Sequence, residues 1–526
     1  MEVVFSSRGI CLVSQVHVNK ILNPVYRGFF LHKMKNKLTK KEFNLLAKDG
    51  RKVVPFFKRI MADTITPTAA WANLSMHSDY GFILESVEKA KKNGRYSYVG
   101  INPSRIFEYD QRSLFEVING KRKKIDANFF DFLKNLNDSH KSQKLDQLPH
   151  FTGGIVGYFG YEMIDFFENV PVKKTKYLQI PDSKFMLFED IIVFDHLNGD
   201  AIVVSNVNLE RSENLNELFD EANSRVDSIG NLLHSNHEFR TPLVTKSFPT
   251  ISNFKKSEFE KIVNKAKKYV KSGDIFQVVL SQRFERKTLS EPLNVYRALR
   301  SINPSPYMFH LKIDSFDVIG ASPELMIKVQ EGEVEIRPIA GTRLRGKNAT
   351  EDERNAQDLL NDKKELAEHL MLLDLGRNDV GRVSEFDSVK IKEKMNIEMY
   401  SHVMHIVSDV RGKLMKDKNI FDALKSGFPA GTVSGAPKIR AMEIINELEN
   451  DSRGIFSGAI GFIDFNGNLN TCISIRTMIL KNEIAYFQAG AGIVYDSIPS
   501  KEYDETVNKA KVMNAAIDLA ENGLIK

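Results

Sequence analysis

Short apolar runs bounded by turn residues recur along most of this chain, and they do not alternate with helices in the regular βαβ order of a parallel sheet. After residue 253, helical patterns at 257–274, 351–375, 418–427, 437–449 and 502–520 interleave with strand patterns at 315–330, 333–340, 454–465, 470–480 and 483–489. Earlier, "RYSYVGINPSRIFEY" reads as two strands around an Asn-Pro turn, and "FMLFEDIIVFDHLNGDAIVVS" as a hairpin closed at Asn198 and Gly199. This order predicts a mixed α+β architecture. The glycine-rich 151–167 segment lacks the dinucleotide-binding spacing ahead of a helix, so close backbone packing is its expected role.

A chain of 526 residues is too long for one small domain. Three stretches are expected: a disordered basic extension over 1–33, a region over 34–245, and a larger one over 253–526 that carries the chemistry. A linker covers 236–252. The extension reads either as an organellar targeting segment or as sequence upstream of a start at Met34; its scarcity of Arg and Ser favours the second. Residues 1–50 hold seven Lys, two Arg and three acids, which accounts for the whole net charge of +6. The rest of the chain is balanced, which argues against a nucleic-acid groove. No long uncharged apolar run suggests a membrane span, and two cysteines give no disulfide framework. A cytoplasmic protein is expected, or an organellar one if 1–33 is a targeting segment.

Two segments carry Glu-x-x-Glu: Glu365 with Glu368, and Glu502 with Glu505. Three residues apart on a helix, each pair projects two carboxylates from one face. Either pair alone reads as a solvated helix face. Were the two helices to converge, four carboxylates would repel one another by about 4 kcal/mol per close pair and would call for protons or a cation. An all-oxygen donor set with room for water suits Mg²⁺. Nearby, Gly490 and Gly492 follow an expected strand at 483–489, where small residues let backbone amides approach an oxyanion. Arg476 sits among apolar neighbours in "CISIRTMIL", and a buried guanidinium there would need a carboxylate partner.

Four long motifs occur in order: "IRPIAGTRLRG" (336–346), "ELAEHLMLLDLGRNDVGRV" (365–383), "GTVSGAPKIRAMEII" (431–445) and "QAGAGIVYDSIPSKEYDETVNKA" (488–510). Across about 40–526 they resemble the chorismate-utilising enzymes. The resemblance implies a large antiparallel β-sheet sandwich flanked by helices, with chorismate bound between the sheets. It further implies that Glu368 and Glu505 ligate Mg²⁺ directly, while Glu365 and Glu502 act through water. Backbone at Gly490, Ala491 and Gly492 would hold the ring carboxylate, Arg476 the enolpyruvyl carboxylate, and Gly341 and Thr342 the ring. Glu324 resembles the acid that protonates the departing 4-hydroxyl, and His405 a histidine near the enolpyruvyl ether. His402 is read as structural. Phe456 stands where relatives often carry Tyr, so it is expected only as a contact.

Branches of this family differ in the nucleophile delivered to the ring. Aminodeoxychorismate synthases resembling this chain place a Lys where Ala340 stands; isochorismate and salicylate synthases place one where Gln277 stands. Lacking both, the chain is similar to the large subunits of anthranilate synthases. That resemblance implies conversion of chorismate and ammonia to anthranilate and pyruvate through 2-amino-2-deoxyisochorismate, the first step of tryptophan biosynthesis. It also implies a glutamine amidotransferase partner (component II), in a heterotetramer. Neither cysteine of this chain has the setting of a glutaminase nucleophile. "ILESVE" and "NPSPYMF" resemble a tryptophan feedback site, with Ser86, Pro306, Tyr307 and Met308 as contacts. An aminodeoxychorismate synthase component and a non-catalytic tryptophan sensor are the alternatives.

Overall fold

The computed structural model describes residues 36–86, 94–173, 176–233, 244, 247–400 and 403–525, together with the strands Glu2–Ser6 and Gly9–Val13. Those two strands pair with each other. The rest of the predicted 1–33 extension lies outside the described residues, as do His402 and most of the 236–252 linker.

Two twelve-stranded sheets form the body of the described residues, and their strand pairs are antiparallel. One runs from Thr250–Ser252 through Gln277–Lys287 and Ile484–Ile493 to Val53–Met61 at its far edge. The other runs from Ile339–Leu344 and Val403–Lys413 to Lys121–Ile125. Each takes strands from both sides of the linker. Phe82, Ile83 and Val99 of the first sheet share a buried cluster with Val156, Tyr158 and Met186 of the second, so the sheets form a sandwich around a common core.

Helices flank the sheets. Pro499–Glu521 buries Thr506, Ala510, Met513 and Ile517, a stripe at spacings of three and four, and packs on Ile484–Ile493. Burying Met513 and Ile517 contributes roughly 1.5–3 kcal/mol each. Lys363–Gly381 lies along Ile339–Leu344 and Val403–Lys413. Among the described residues, no helix is long and apolar enough to cross a membrane.

Several segments read as continuous are divided. The 315–330 run is two strands, Phe316–Ser322 in the first sheet and Leu325–Gln330 in the second. The 470–480 run splits likewise into Leu469–Ile473 and Thr477–Lys481. These strands are buried almost throughout, and an apolar run looks the same in either sheet, so pattern alone cannot reveal a change of sheet. Only Pro323, which has no N–H for a ladder, and Arg476, at φ +49°, mark these crossings. The 351–375 helix is two, Ala349–Asn361 and Lys363–Gly381, divided at Asp362, whose carboxylate accepts from the amides of Lys364 and Glu365.

Candidate active site

Both chain crossings open onto one cavity of about 570 Å³ between the sheets, lined by Glu324 from the first crossing and by Ile475 and Arg476 from the second. The crossings are tied together: the Ile473 amide donates to the Glu324 carbonyl (3.0 Å), and the Ala321 amide to that of Arg476 (3.0 Å). Arg476 is therefore not mid-strand, as its apolar neighbours suggested. Its left-handed backbone turns the chain from one sheet to the other, and its guanidinium lines the cavity.

The Glu324 carboxyl is pushed up to about 8 by burial, opposed by a hydrogen bond from the Thr432 hydroxyl (3.0 Å) and by the charges of Arg476 and Lys509. It is mostly protonated at neutral pH and can give a proton away. His405, on Val403–Lys413, sits 2.7 Å from the carbonyl of Gly341 through Nδ1. A carbonyl only accepts, so Nδ1 carries the hydrogen, and Nε2 is left as the acceptor of a neutral ring. Burial holds this imidazole below its ordinary value. Gly341 and Thr342 line the cavity beside it, with Phe456 among the other walls.

Gly490 and Gly492 lie within the strand Ile484–Ile493 rather than in a turn after it. Thr477–Lys481 pairs with this strand only as far as Phe487, so from 488 onward one edge is open to the cavity. The Gly490 carbonyl accepts from Lys509 Nζ on that edge (2.9 Å). Within a strand, a residue's N–H and C=O point to the same side and alternate along the chain. The amides of Gly490 and Gly492 therefore both face the opening. Ala491 does not line the cavity: alternation turns its methyl into the opposite core, where it is fully buried.

Glu365, Glu368, Glu502 and Glu505 all line the cavity, which brings the two acidic helices together on one space. Glu365 is held above the usual carboxylate range by burial and then by the charge of Glu368. Glu502 is raised by burial, against a hydrogen bond from Ser497, and further by Glu505. Among the described residues, no group of three or more His, Cys, Asp or Glu side chains is gathered as a ready-made metal cluster. Mg²⁺ does not need one, since it binds through one or two carboxylates plus water and substrate oxygens. Four carboxylates lining one cavity supply the oxygen donors that fit such an ion.

Five polar or charged lining residues had no role in the sequence reading: Lys364, Thr432, Gln488, Ser497 and Lys509. Lys509 was legible in principle, one helical turn beyond Glu505 and paired with it (2.8 Å). Nothing in the sequence marks Thr432 as a donor to Glu324. Gln277 and Ala340, read only as missing lysines, both line the cavity. The segments expected to contact tryptophan lie elsewhere. Tyr80–Glu85 pairs with Tyr307–Ile313, placing Glu85 opposite Met308 and bringing Ser86 to the end that holds Pro306 and Tyr307. The Met308 side chain is packed in the core.

A cleft that gathers a buried protonatable carboxyl, a buried guanidinium and two acidic pairs holds the kind of perturbed groups that mark an enzyme's site. The sequence matches the chorismate binding enzyme family over residues 82–515. Anthranilate synthase component 1 of Acetivibrio thermocellus is 45% identical over 493 residues, covering 91% of this chain and 98% of that one. Its counterpart from Aquifex aeolicus is 44% identical over 480 residues, 89% of this chain and 95% of that one. The crystal structure of anthranilate synthase component I from Streptococcus pneumoniae superposes with a TM-score of 0.72 at 40% identity, over 81% of this chain and 94% of that one. The chain belongs to the chorismate binding enzymes, in the anthranilate synthase component 1 branch. An Escherichia coli isochorismate synthase, at 16% identity and a TM-score of 0.67 over 91% of this chain and 98% of that one, shares the fold.

Proposed function

We propose that this cavity aminates chorismate to anthranilate using ammonia delivered by a glutaminase partner. The observation that carries this reading is that Gln277 and Ala340 line the same cavity as Glu324. The two places where relatives would supply a lysine thus hold no amine, and an external nucleophile needs neither.

The Gly490 and Gly492 amides hold the ring carboxylate and Arg476 the enolpyruvyl carboxylate, which fixes the ring beside Glu324 and His405. Ammonia forms a bond to C2 as the C4–oxygen bond breaks. Glu324 gives its proton to the departing hydroxyl, which leaves as water, and the added nitrogen sheds a proton. The product is 2-amino-2-deoxyisochorismate. Loss of the C2 proton, with the neutral His405 as the nearby acceptor, and cleavage of the C3–oxygen bond then leave the aromatic ring, and the departing enolpyruvate takes up one proton at its methylene carbon to become pyruvate. Mg²⁺ held by Glu368 and Glu505, with Glu365 and Glu502 acting through water, would supply positive charge for the ring carboxylate and for charge developing in the ring. Ser86, Pro306 and Tyr307, with the backbone of Met308, form the proposed tryptophan contact, and the assembly with the glutaminase is a heterotetramer.

The purified chain alone should form anthranilate from chorismate with Mg²⁺ and ammonium, and only marginally with glutamine. EDTA or Glu505→Gln should abolish turnover, and tryptophan should lower it. Equal use of glutamine would remove the partner from the account, and near-normal turnover by Glu505→Gln would remove the metal assignment.

A further inference from the structure

Behind the cavity wall lies an ion pair that the chemistry above does not use. Arg453 is 1% exposed and Glu449 4%, four residues apart in the loop that follows the helix Lys438–Leu448. All five N–H groups of the Arg453 guanidinium are engaged. Nε donates to Glu449 (2.9 Å); Nη1 to the Val433 carbonyl (2.7 Å) and the Ser457 hydroxyl (3.2 Å); Nη2 to the Val279 carbonyl (2.8 Å) and Glu449 (2.6 Å). Glu449 in turn accepts from the amide (2.8 Å) and hydroxyl (2.7 Å) of Ser281.

The groups it joins are walls of the reaction site. Val279 lines the cavity opposite Gly492 in the strand register, and Val433 follows Thr432, which donates to Glu324. Phe456, another wall, has its ring 5.6 Å from the guanidinium carbon. A buried ion pair is weak evidence of a stability role, because apolar residues of similar volume often serve as well. A planar fork with five fixed donors sets the spacing of three separate segments, which apolar packing or a lysine cannot do.

We propose that Glu449 and Arg453 are a positioning pair for this reaction, holding the 431–433 turn so that Thr432 stays on Glu324. The proposal rests on Glu324 being the proton donor of the proposed chemistry. Neither residue touches substrate; both act through Val433 and Val279.

Arg453→Lys keeps the charge and loses the fork, and Glu449→Gln keeps shape and an acceptor, so the prediction rests on two conservative variants. Each should lower kcat by about 10²-fold with KM for chorismate little changed, the scale expected of a small misplacement of a reacting group. Thr432→Val, which leaves the buried pair intact, should lower kcat in the same way. In all three the alkaline limb of the kcat profile should move to higher pH, because Glu324 loses a donor that favours its charged form. The same shift should appear without substrate in the infrared titration of the carboxyl band that Glu324→Gln removes. A purely structural pair would lower the melting temperature while leaving kcat per folded enzyme, the alkaline limb and the infrared midpoint unchanged; that result in Arg453→Lys or Glu449→Gln overturns the proposal. An unshifted midpoint in Thr432→Val overturns it too. The infrared titration does not depend on product, so a wild-type chain that makes no anthranilate would count against the proposed function and not against this pair.

Discussion

If Glu324 is the acid, as proposed, its carboxyl should govern how turnover depends on pH. Its carboxyl, pushed up to about 8, is charged above that value and protonated below it, so a role as acid gives a kcat that falls as pH rises through about 8. His405 is held below its ordinary value and stays neutral on this limb. Glu324→Gln should lose most of the amination rate and, with it, the limb. A Gln variant that kept the same alkaline fall would assign that limb to another group. Of the residues that set this behaviour, Glu324 was recoverable only through family resemblance. An acid in "ASPELMI" carries no local sign that it will be buried at a sheet crossing. Thr432, on a separate turn, could not be joined to it without the fold.

At the level of elements, patterning placed most helices and strands but not their sheets. The Pro499–Glu521 helix was legible as a helical pattern over 502–520, and its buried residues follow a spacing of three and four. The change of sheet at 322–325 was not, since near-continuous burial lies on both sides of it. The glycine-rich 151–167 segment was legible as tight packing, and Gly157 shows why. A Cβ there would come within 2.0 Å of the Lys184 carbonyl oxygen on the paired strand. Gly157→Ala should therefore destabilise the fold by about 1–3 kcal/mol, read as a lower denaturant midpoint. Gly230, inside the helix Leu215–Leu233, faces open space: a Cβ there would meet nothing within 4 Å. Gly230→Ala should stabilise by up to ~1 kcal/mol. If the two variants shifted the midpoint equally, close strand packing at Gly157 would not be the cause.

At the scale of the whole molecule, the cavity exists because two sheets exchange strands. Segments on both sides of the linker build each sheet, and the chain carries Glu324 and Arg476 to the gap as it passes between them. Local pattern shows the two acidic helices and the glycine pair but not their convergence, which depends on pairings hundreds of residues apart. The chemistry proposed for that convergence has a fixed stoichiometry. With chorismate, Mg²⁺ and ¹⁵N-ammonium, the chain without any partner should yield one ¹⁵N-anthranilate and one pyruvate for each chorismate consumed, measured by mass spectrometry. Isochorismate, or an aminated product that accumulates without pyruvate, would contradict the account.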